Sequence, residues 1–462
     1  MIRIAILAGI LLICSGCSSK APIVREETSA TGIDYAFIPM TDIADRRKAK
    51  DDARVAIRVI WASDWAARSD RNQMLPGFAA GLLPYAGWPV LKPADTIEQM
   101  ADYRASYALH AWPGGVTLGL SVPRQYLNAA VEHLNTLLTH PALESKWFDR
   151  YQDERRRDIT ETGLKTWSRL WAAASYMIFD DTPLRIAVAR DRADLAGAIT
   201  QDDVRVWSNQ TFQRAGAKVA IAGPLSASEA DAAIDQLFAG LAEGEIVEVP
   251  PFALAVKPEK LLLVDPDAGK SVMAFFGQMD EAGREAQFEH YFDNRILHQI
   301  LNTGMLTDVA RGGERASYGF SGRILRYATF VPRELVLSGE VETAKIAAID
   351  DAIRDGYGQF LKGDMSSAGD RRKAIKGDMD LKRRDVDVVA DNAVTLMSVG
   401  FGPQSVIQWL NQIDLVDEDS LRDTLSTYPP MAALSTIVVS KDRNALPGAC
   451  VIAAPEEAVG CP

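Results

Sequence analysis

Leu75-Pro-Gly-Phe-Ala-Ala-Gly-Leu82 is a short apolar stretch without an ionisable side chain, and its neighbours decide how it is read. Ahead of it, Val55-Ala-Ile-Arg-Val-Ile-Trp-Ala62 is a largely apolar run of strand length. Behind it, Ala105 to Trp112 and Val116 to Val122 have the pattern of a hairpin turning at Pro113-Gly-Gly115. Further on, Trp147-Phe-Asp-Arg-Tyr-Gln-Asp-Glu-Arg-Arg-Arg-Asp-Ile-Thr-Glu161 reads as a long acidic-basic helix. The second half of the chain returns to a similar order. Lys260-Leu-Leu-Leu-Val264 and Ser271-Val-Met-Ala-Phe-Phe276 are strands, Phe288 to Leu301 is a helix, and a helix at Asp419 to Leu425 precedes the strand Ser435-Thr-Ile-Val-Val-Ser440. The period is near half the chain, too long for a solenoid, and it fits a duplicated α+β domain.

That order resembles the insulinase and mitochondrial-processing-peptidase family, whose inverted zinc motif HxxEH lies on the short helix and whose third ligand is a downstream glutamate. The resemblance covers roughly Ile33 to Ser440 and implies two duplicated insulinase-like α+β domains facing each other as a clamshell. Laid on the motif, the ligand histidines fall at Gly77 and Gly81 and the catalytic glutamate at Ala80. Catalytic zinc needs three protein ligands of the His, Cys or carboxylate type. Only Glu161, seven residues after Glu154, matches the family's third-ligand spacing. The base that would deprotonate a metal-bound water is missing as well. The chain is therefore expected to bind no metal, with zinc in a partner. Glu154 and Glu161 are expected to be relics, or partners for Arg155, Arg156 or Arg157 on neighbouring turns.

The second half carries the positive match. Gly304-Met-Leu-Thr-Asp-Val-Ala-Arg311 is followed by Gly312-Gly-Glu-Arg-Ala-Ser-Tyr318, which reproduces the spacing of the family's Arg and Tyr that hold the scissile carbonyl. Arginine offers fixed, permanently charged donors, and a tyrosine hydroxyl can donate to a developing oxyanion. The family's usual Ser-Arg-Leu start is Gly304-Met-Leu306 here, and the bland reading of the pair is a surface arginine and a half-buried tyrosine. The resemblance also implies a peptide-binding sheet edge, with Ala105 to Trp112 as its counterpart and main-chain bonding that shows little sequence preference.

Composition sets outer bounds. The chain has 462 residues, 47% hydrophobic and 24% charged, which is globular and long enough for two or three domains. A net charge of -12 argues against nucleic acid as a partner, because the short runs Arg155-Arg-Arg157 and Arg371-Arg-Lys373 read as solvated helix faces. His110, His133, His140, His290 and His298 form no metal spacing, and there is no GxSxG elbow or P-loop.

Residues 1–17 read as a secretory signal, too short to span a bilayer, ending in a bacterial lipobox at Ser15-Gly16-Cys17-Ser18 with Cys14 where leucine is usual. Lipidation at Cys17 would anchor the chain in the periplasm. Ser18 after the cysteine resembles lipoproteins sorted to the outer membrane. Residues 18–31 would be a tether, 32–242 the first domain, 243–259 a proline-containing linker, 260–445 the second domain and 446–462 a tail. Cys450 and Cys461 could close a small loop in an oxidising compartment or remain free thiols.

Within the first domain, Ile33 to Pro39 and the run at Val55 are expected to pair as strands. Asp95-Thr-Ile-Glu98, Thr200-Gln-Asp-Asp203 and Ser226-Ala-Ser-Glu229 have the spacing of capping boxes.

Three functional readings follow. The chain is a zinc-free lipoprotein subunit that supplies Arg311 and Tyr318 to an HxxEH-bearing partner in a heteromeric periplasmic peptidase acting on peptides or unfolded protein. Alternatively, it is a peptide-binding or scaffold pseudopeptidase without a proteolytic role. The third reading is an autonomous hydrolase built on other residues.

Overall fold

The computed structural model describes residues 22–46, 48–87, 91–179, 182–250, 252, 254–256, 259–280, 288–311, 317–325 and 333–461, with residues 43, 182, 310, 311, 317 and 318 described by backbone alone. The signal, the lipobox and Cys17 lie outside the described residues.

Each half builds a six-stranded sheet. The first contains β1 (Arg25–Thr28), β2 (Asp34–Pro39), β3 (Arg54–Ala62), β4 (Ser106–Trp112), β5 (Gly115–Pro123) and β6 (Lys218–Gly223), in the order β1-β2-β6-β3-β5-β4. The second contains β7 (Lys260–Val264), β8 (Ser271–Gln278), β9 (Ser317–Leu325), β10 (Glu334–Val341), β11 (Ser435–Ser440) and β12 (Cys450–Ile452), in the order β12-β7-β11-β8-β10-β9. Matching the orders strand by strand exposes the duplication. In each half a long-range parallel pair, β2 with β6 or β7 with β11, is flanked by an antiparallel neighbour, β3 or β8.

Apolar runs such as β3 lack simple alternation because both faces of their sheet are covered. One face of the first sheet packs on its own half's helices, where Val55, Ile57, Val59 and Trp61 join Phe78, Leu134 and Trp207. The opposite face meets the Val386–Ser398 helix of the second half. There Val386, Val389, Ala390, Ala393 and Val394 lie on Ala36, Ile38, Ala56, Ile60, Ala220 and Ala222. The second sheet is covered reciprocally by the Thr166–Ile178 helix of the first half, with Leu170, Ala173 and Ala174 against Val272, Ala274, Phe276 and Ile437. Full burial of a Val, Leu or Ile side chain stabilises by about 1.5–3 kcal/mol, so each half's sheet draws part of its stability from a helix of the other.

Arg58 breaks the apolar run of β3 for a reason visible in the same exchange. It shares a face with Ala56 and Ile60, and its guanidinium meets Asp387 at 2.7 Å and Asp391 at 2.5 Å on the incoming helix. Ser121 also donates to Asp387 at 2.9 Å, so the arginine is paired where it is taken out of water.

Several expectations are corrected. β2 and β3 do not pair, because β6, an apolar strand buried along most of its length, lies between them, parallel to one and antiparallel to the other. The segment 18–31 is not a tether throughout, since Arg25–Thr28 pairs antiparallel with β2. Residues 446–462 are more than a tail. Cys450–Ile452 adds to β7 in parallel, Cys450 and Cys461 are joined by a disulfide with Cα atoms 5.9 Å apart, and Pro455–Gly460 follows as a 3-10 helix. The helix near Asp95 spans Pro93–Asp102 and has no side-chain cap, its start being set by Pro93 in the first turn. The capping boxes at Thr200 and Ser226 form as expected.

Candidate functional site

The Leu75–Leu82 helix begins with proline in its first turn and buries Leu75, Phe78, Ala79, Ala80 and Leu82. Gly77 and Gly81, four residues apart, share a face without side chains, and that face is where other groups enter. The hydroxyl of Tyr151, on the Ser145–Gly163 helix, lies where a Cβ on Gly81 would stand. Its ring is set edge-on against Phe78 at 5.0 Å, and Phe148 tilts on Phe78 at 5.7 Å. Burial raises the Tyr151 hydroxyl above its ordinary pKa, keeping it protonated.

Beside Gly77 stands Arg190, with Cζ 3.8 Å and Nη1 3.9 Å from the position a Cβ would take. Arg190 follows the Thr182–Ala189 helix in the left-handed region, φ 53°, which a non-glycine residue adopts at a cost. Its Nη2 donates to the carbonyl of Ala111 on β4 at 2.7 Å. Burial lowers its pKa, and the nearby Arg155 lowers it further.

Arg155 comes from the Ser145–Gly163 helix and gives Nη1 to Asp158 at 2.5 Å. Arg155, Arg190, Gly77, Trp65 and Trp112 line a small hollow.

Gly77, Ala80 and Gly81 therefore sit together as the resemblance implies, but the carboxylates do not join them. Glu154 is exposed and pairs with Arg150 at 2.9 Å, not with Arg155, Arg156 or Arg157. Glu161 is exposed near the end of the same helix, outside the hollow. Residue 155 is the helix position that reaches the hollow, and it carries an arginine. Zinc does not fit these residues, because two guanidinium cations, which have no lone pair to give, and a protonated phenol stand where His, Cys or carboxylate ligands would be needed. Among the described residues no three His, Cys, Asp or Glu side chains gather as a metal site.

His133 is fully buried, edge-on to Tyr107, and burial lowers its pKa to about 4. His140 instead pairs through Nδ1 with Thr139 Oγ1 at 2.7 Å.

In the second half, Arg311 ends the Met305–Arg311 helix and Tyr318 lies in β9, an edge strand that begins at Ser317, before Phe320. Ser317 pairs with Val341 and Gly319 with Glu340, which leaves Tyr318 as the extra residue of a β-bulge. Their side chains lie outside what the structure describes.

Sequence reasoning missed Tyr151 and Arg190 and read Arg155 as solvated. A signal existed for one pair: Tyr151 and Arg155 are four apart on a helix already matched to the family's ligand helix.

No family model matches the sequence, and no curated protein does. Solved structures match in fold. The fold is the duplicated-domain architecture of the M16 peptidases. One similar structure is a peptidase M16 inactive domain from Pseudomonas fluorescens, 13% identical, with a TM-score of 0.75, covering 91% of this chain and 98% of that one. A protease from Helicobacter pylori matches at 11% identity and a TM-score of 0.74, over 91% of this chain and 100% of that one. The periplasmic protease PqqL from Escherichia coli matches at 12% identity and a TM-score of 0.72, over 92% of this chain and 47% of that one. Among the described residues no helix is long and apolar enough to cross a membrane.

Proposed function

We propose that the chain is a zinc-free, non-catalytic M16-type subunit that holds a peptide, anchored through Cys17 at the periplasmic face of the outer membrane. The observation that carries this reading is the replaced metal site: Tyr151 and Arg190 occupy the space beside Gly81 and Gly77, on the fold of a peptidase. The similarity to a structure described as an M16 inactive domain supports the same reading.

Among the described residues β4 pairs only with β5 and leaves one side of its backbone open, so an extended peptide can add there as a further strand. Arg311 and Tyr318 are assigned to the substrate carbonyl of an active site completed by a partner that carries HxxEH. Each such donor contributes about 2.7–4 kcal/mol of transition-state stabilisation.

The test is cleavage of a quenched peptide by the complex pulled from native membranes on this chain, comparing wild type with Arg311→Ala. Activity that collapses in the variant while the same zinc-bearing partner co-purifies supports the assignment. Activity indifferent to Arg311, or absent throughout, leaves a peptide-binding or scaffold subunit.

A further inference from the structure

We propose that the hollow beside Gly77 has become a carboxylate site, in which Arg190 and Arg155 receive a carboxylate presented by a peptide lying along β4. The proposal rests on the peptide-holding reading above and names the chemical group that the former metal site recognises.

Four observations converge on it. First, Arg190 is a largely desolvated cation for which no carboxylate partner is found among the described residues. Its recorded acceptors are carbonyls, of Ala111 at 2.7 Å and Ala187 at 3.4 Å. A half-buried charge left without a counter-charge carries part of the desolvation cost, so an anion entering the hollow gains what the protein withholds.

Second, a second guanidinium is close enough to repel it. Arg155 lines the same hollow and depresses the pKa of Arg190, and its own partner Asp158 is exposed. A carboxylate between the two relieves that repulsion and offers two oxygens to two planar donors.

Third, Arg190 is held by a backbone in the left-handed region, φ 53°, where a non-glycine residue is uncommon.

Fourth, the hollow lies at the end of the open strand. With a two-residue connection at Pro113-Gly114, Trp112 and Gly115 form a hydrogen-bonded pair, so Tyr107, Leu109 and Ala111 turn their backbone groups away from β5. Arg190 bonds the last of these carbonyls, at Ala111. A strand added to β4 thus meets Arg190 where it runs off the edge. The hollow is small, which suits a carboxylate at the tip of a chain end or side chain and not a bulky group.

Two sources present the same chemistry: the C-terminal carboxylate of the peptide, or an aspartate or glutamate side chain. The experiment is a calorimetric titration of the full-length protein with three ten-residue peptides of one neutral sequence. One ends in a free acid, one in an amide, and one in an amide with a single internal glutamate. The expected result is that the free acid binds at least tenfold more tightly than the plain amide, and that Arg190→Gln and Arg155→Gln each erase the difference while melting temperature is retained. Arg190→Lys, which keeps the charge, should restore part of it. Tight binding by the glutamate peptide but not the free acid assigns the side chain as the source.

Equal binding of all three peptides to wild type overturns the carboxylate site, as does a preference that survives both substitutions, and either result leaves the peptide-holding reading intact. No binding by any peptide sinks the peptide-holding reading. In that case acetate raising the melting temperature of wild type but not of Arg190→Gln retains the anion site, and no effect of acetate removes it as well.

Discussion

The hydroxyl of Tyr151 stands in the space that a side chain on Gly81 would need. This contact explains why the short helix tolerates glycine at its seventh position, where alanine would otherwise favour the helix by about 0.5–1 kcal/mol. Gly81→Ala should therefore destabilise the protein, by about 1 kcal/mol or more, because the added methyl meets a tyrosine packed on Phe78. In a Tyr151→Phe background the same substitution should be neutral or stabilising, since the ring carbon Cζ is at an ordinary 3.5 Å. Denaturant unfolding of the four proteins measures the coupling, and additive effects would contradict the contact.

Writing HxxEH into the short helix should not create a zinc site. The triple variant Gly77→His, Ala80→Glu, Gly81→His faces Tyr151 and Arg190 in the space its new side chains require. Metal analysis after equilibration with zinc should find less than one equivalent held at the site. Stoichiometric zinc would show that these groups move aside easily.

Breaking the ion pair between the halves should weaken both together. Asp387→Asn removes one of the two charges opposite Arg58, itself only 9% exposed, and should cost about 1–3 kcal/mol on the scale of hydrogen bonds to charged groups. Because each sheet is covered by a helix from the other half, unfolding should remain a single transition with a lowered midpoint. Two separated transitions in the variant would mean that the halves fold independently.

The buried His133 makes stability pH-dependent. Its folded pKa is depressed to about 4 from an ordinary 6.5, so the unfolded chain binds the extra proton between these values. Stability should be fully present above about pH 6.5 and fall as pH drops toward 4, with a contribution of at most about 1.4 kcal/mol per pH unit. His133→Gln should flatten that part of the profile. An unchanged slope would mean that another group governs it.

Opening the Cys450–Cys461 bridge should loosen the end of the second sheet. The cysteines are 11 residues apart, and closing so short a loop stabilises by about 2–3 kcal/mol. Cys450→Ser should lower the melting temperature and speed hydrogen exchange at Val451 and Ile452, which pair with Leu262 and Leu263. Exchange unchanged at these two amides would place the effect elsewhere.

What could be read from the sequence follows physical range. The strands at Val55 and Lys260 and the capping boxes at Thr200 and Ser226 are local patterns, and they formed where expected. The insertion of β6 between β2 and β3 was not legible, because parallel pairing joins residues such as Tyr35 and Val219 that no local signal relates. The Val386–Ser398 helix shows an apolar face, but only the folded molecule shows that it covers the other half's sheet. At the site, the absence of ligand side chains at Gly77 and Gly81 and of a base at Ala80 was plain. What replaced them was hidden. Arg155 sits in a run of three arginines that looks solvated, and a positive φ at Arg190 carries no residue signal of the kind glycine gives.

The measurement that bears most directly on the central claim follows a quenched peptide mixed with the purified chain and zinc, recording binding and cleavage in the same sample. A non-catalytic peptide holder predicts saturable binding with the peptide recovered intact. Cleavage that co-purifies with this chain alone, or the absence of any binding, would contradict the account.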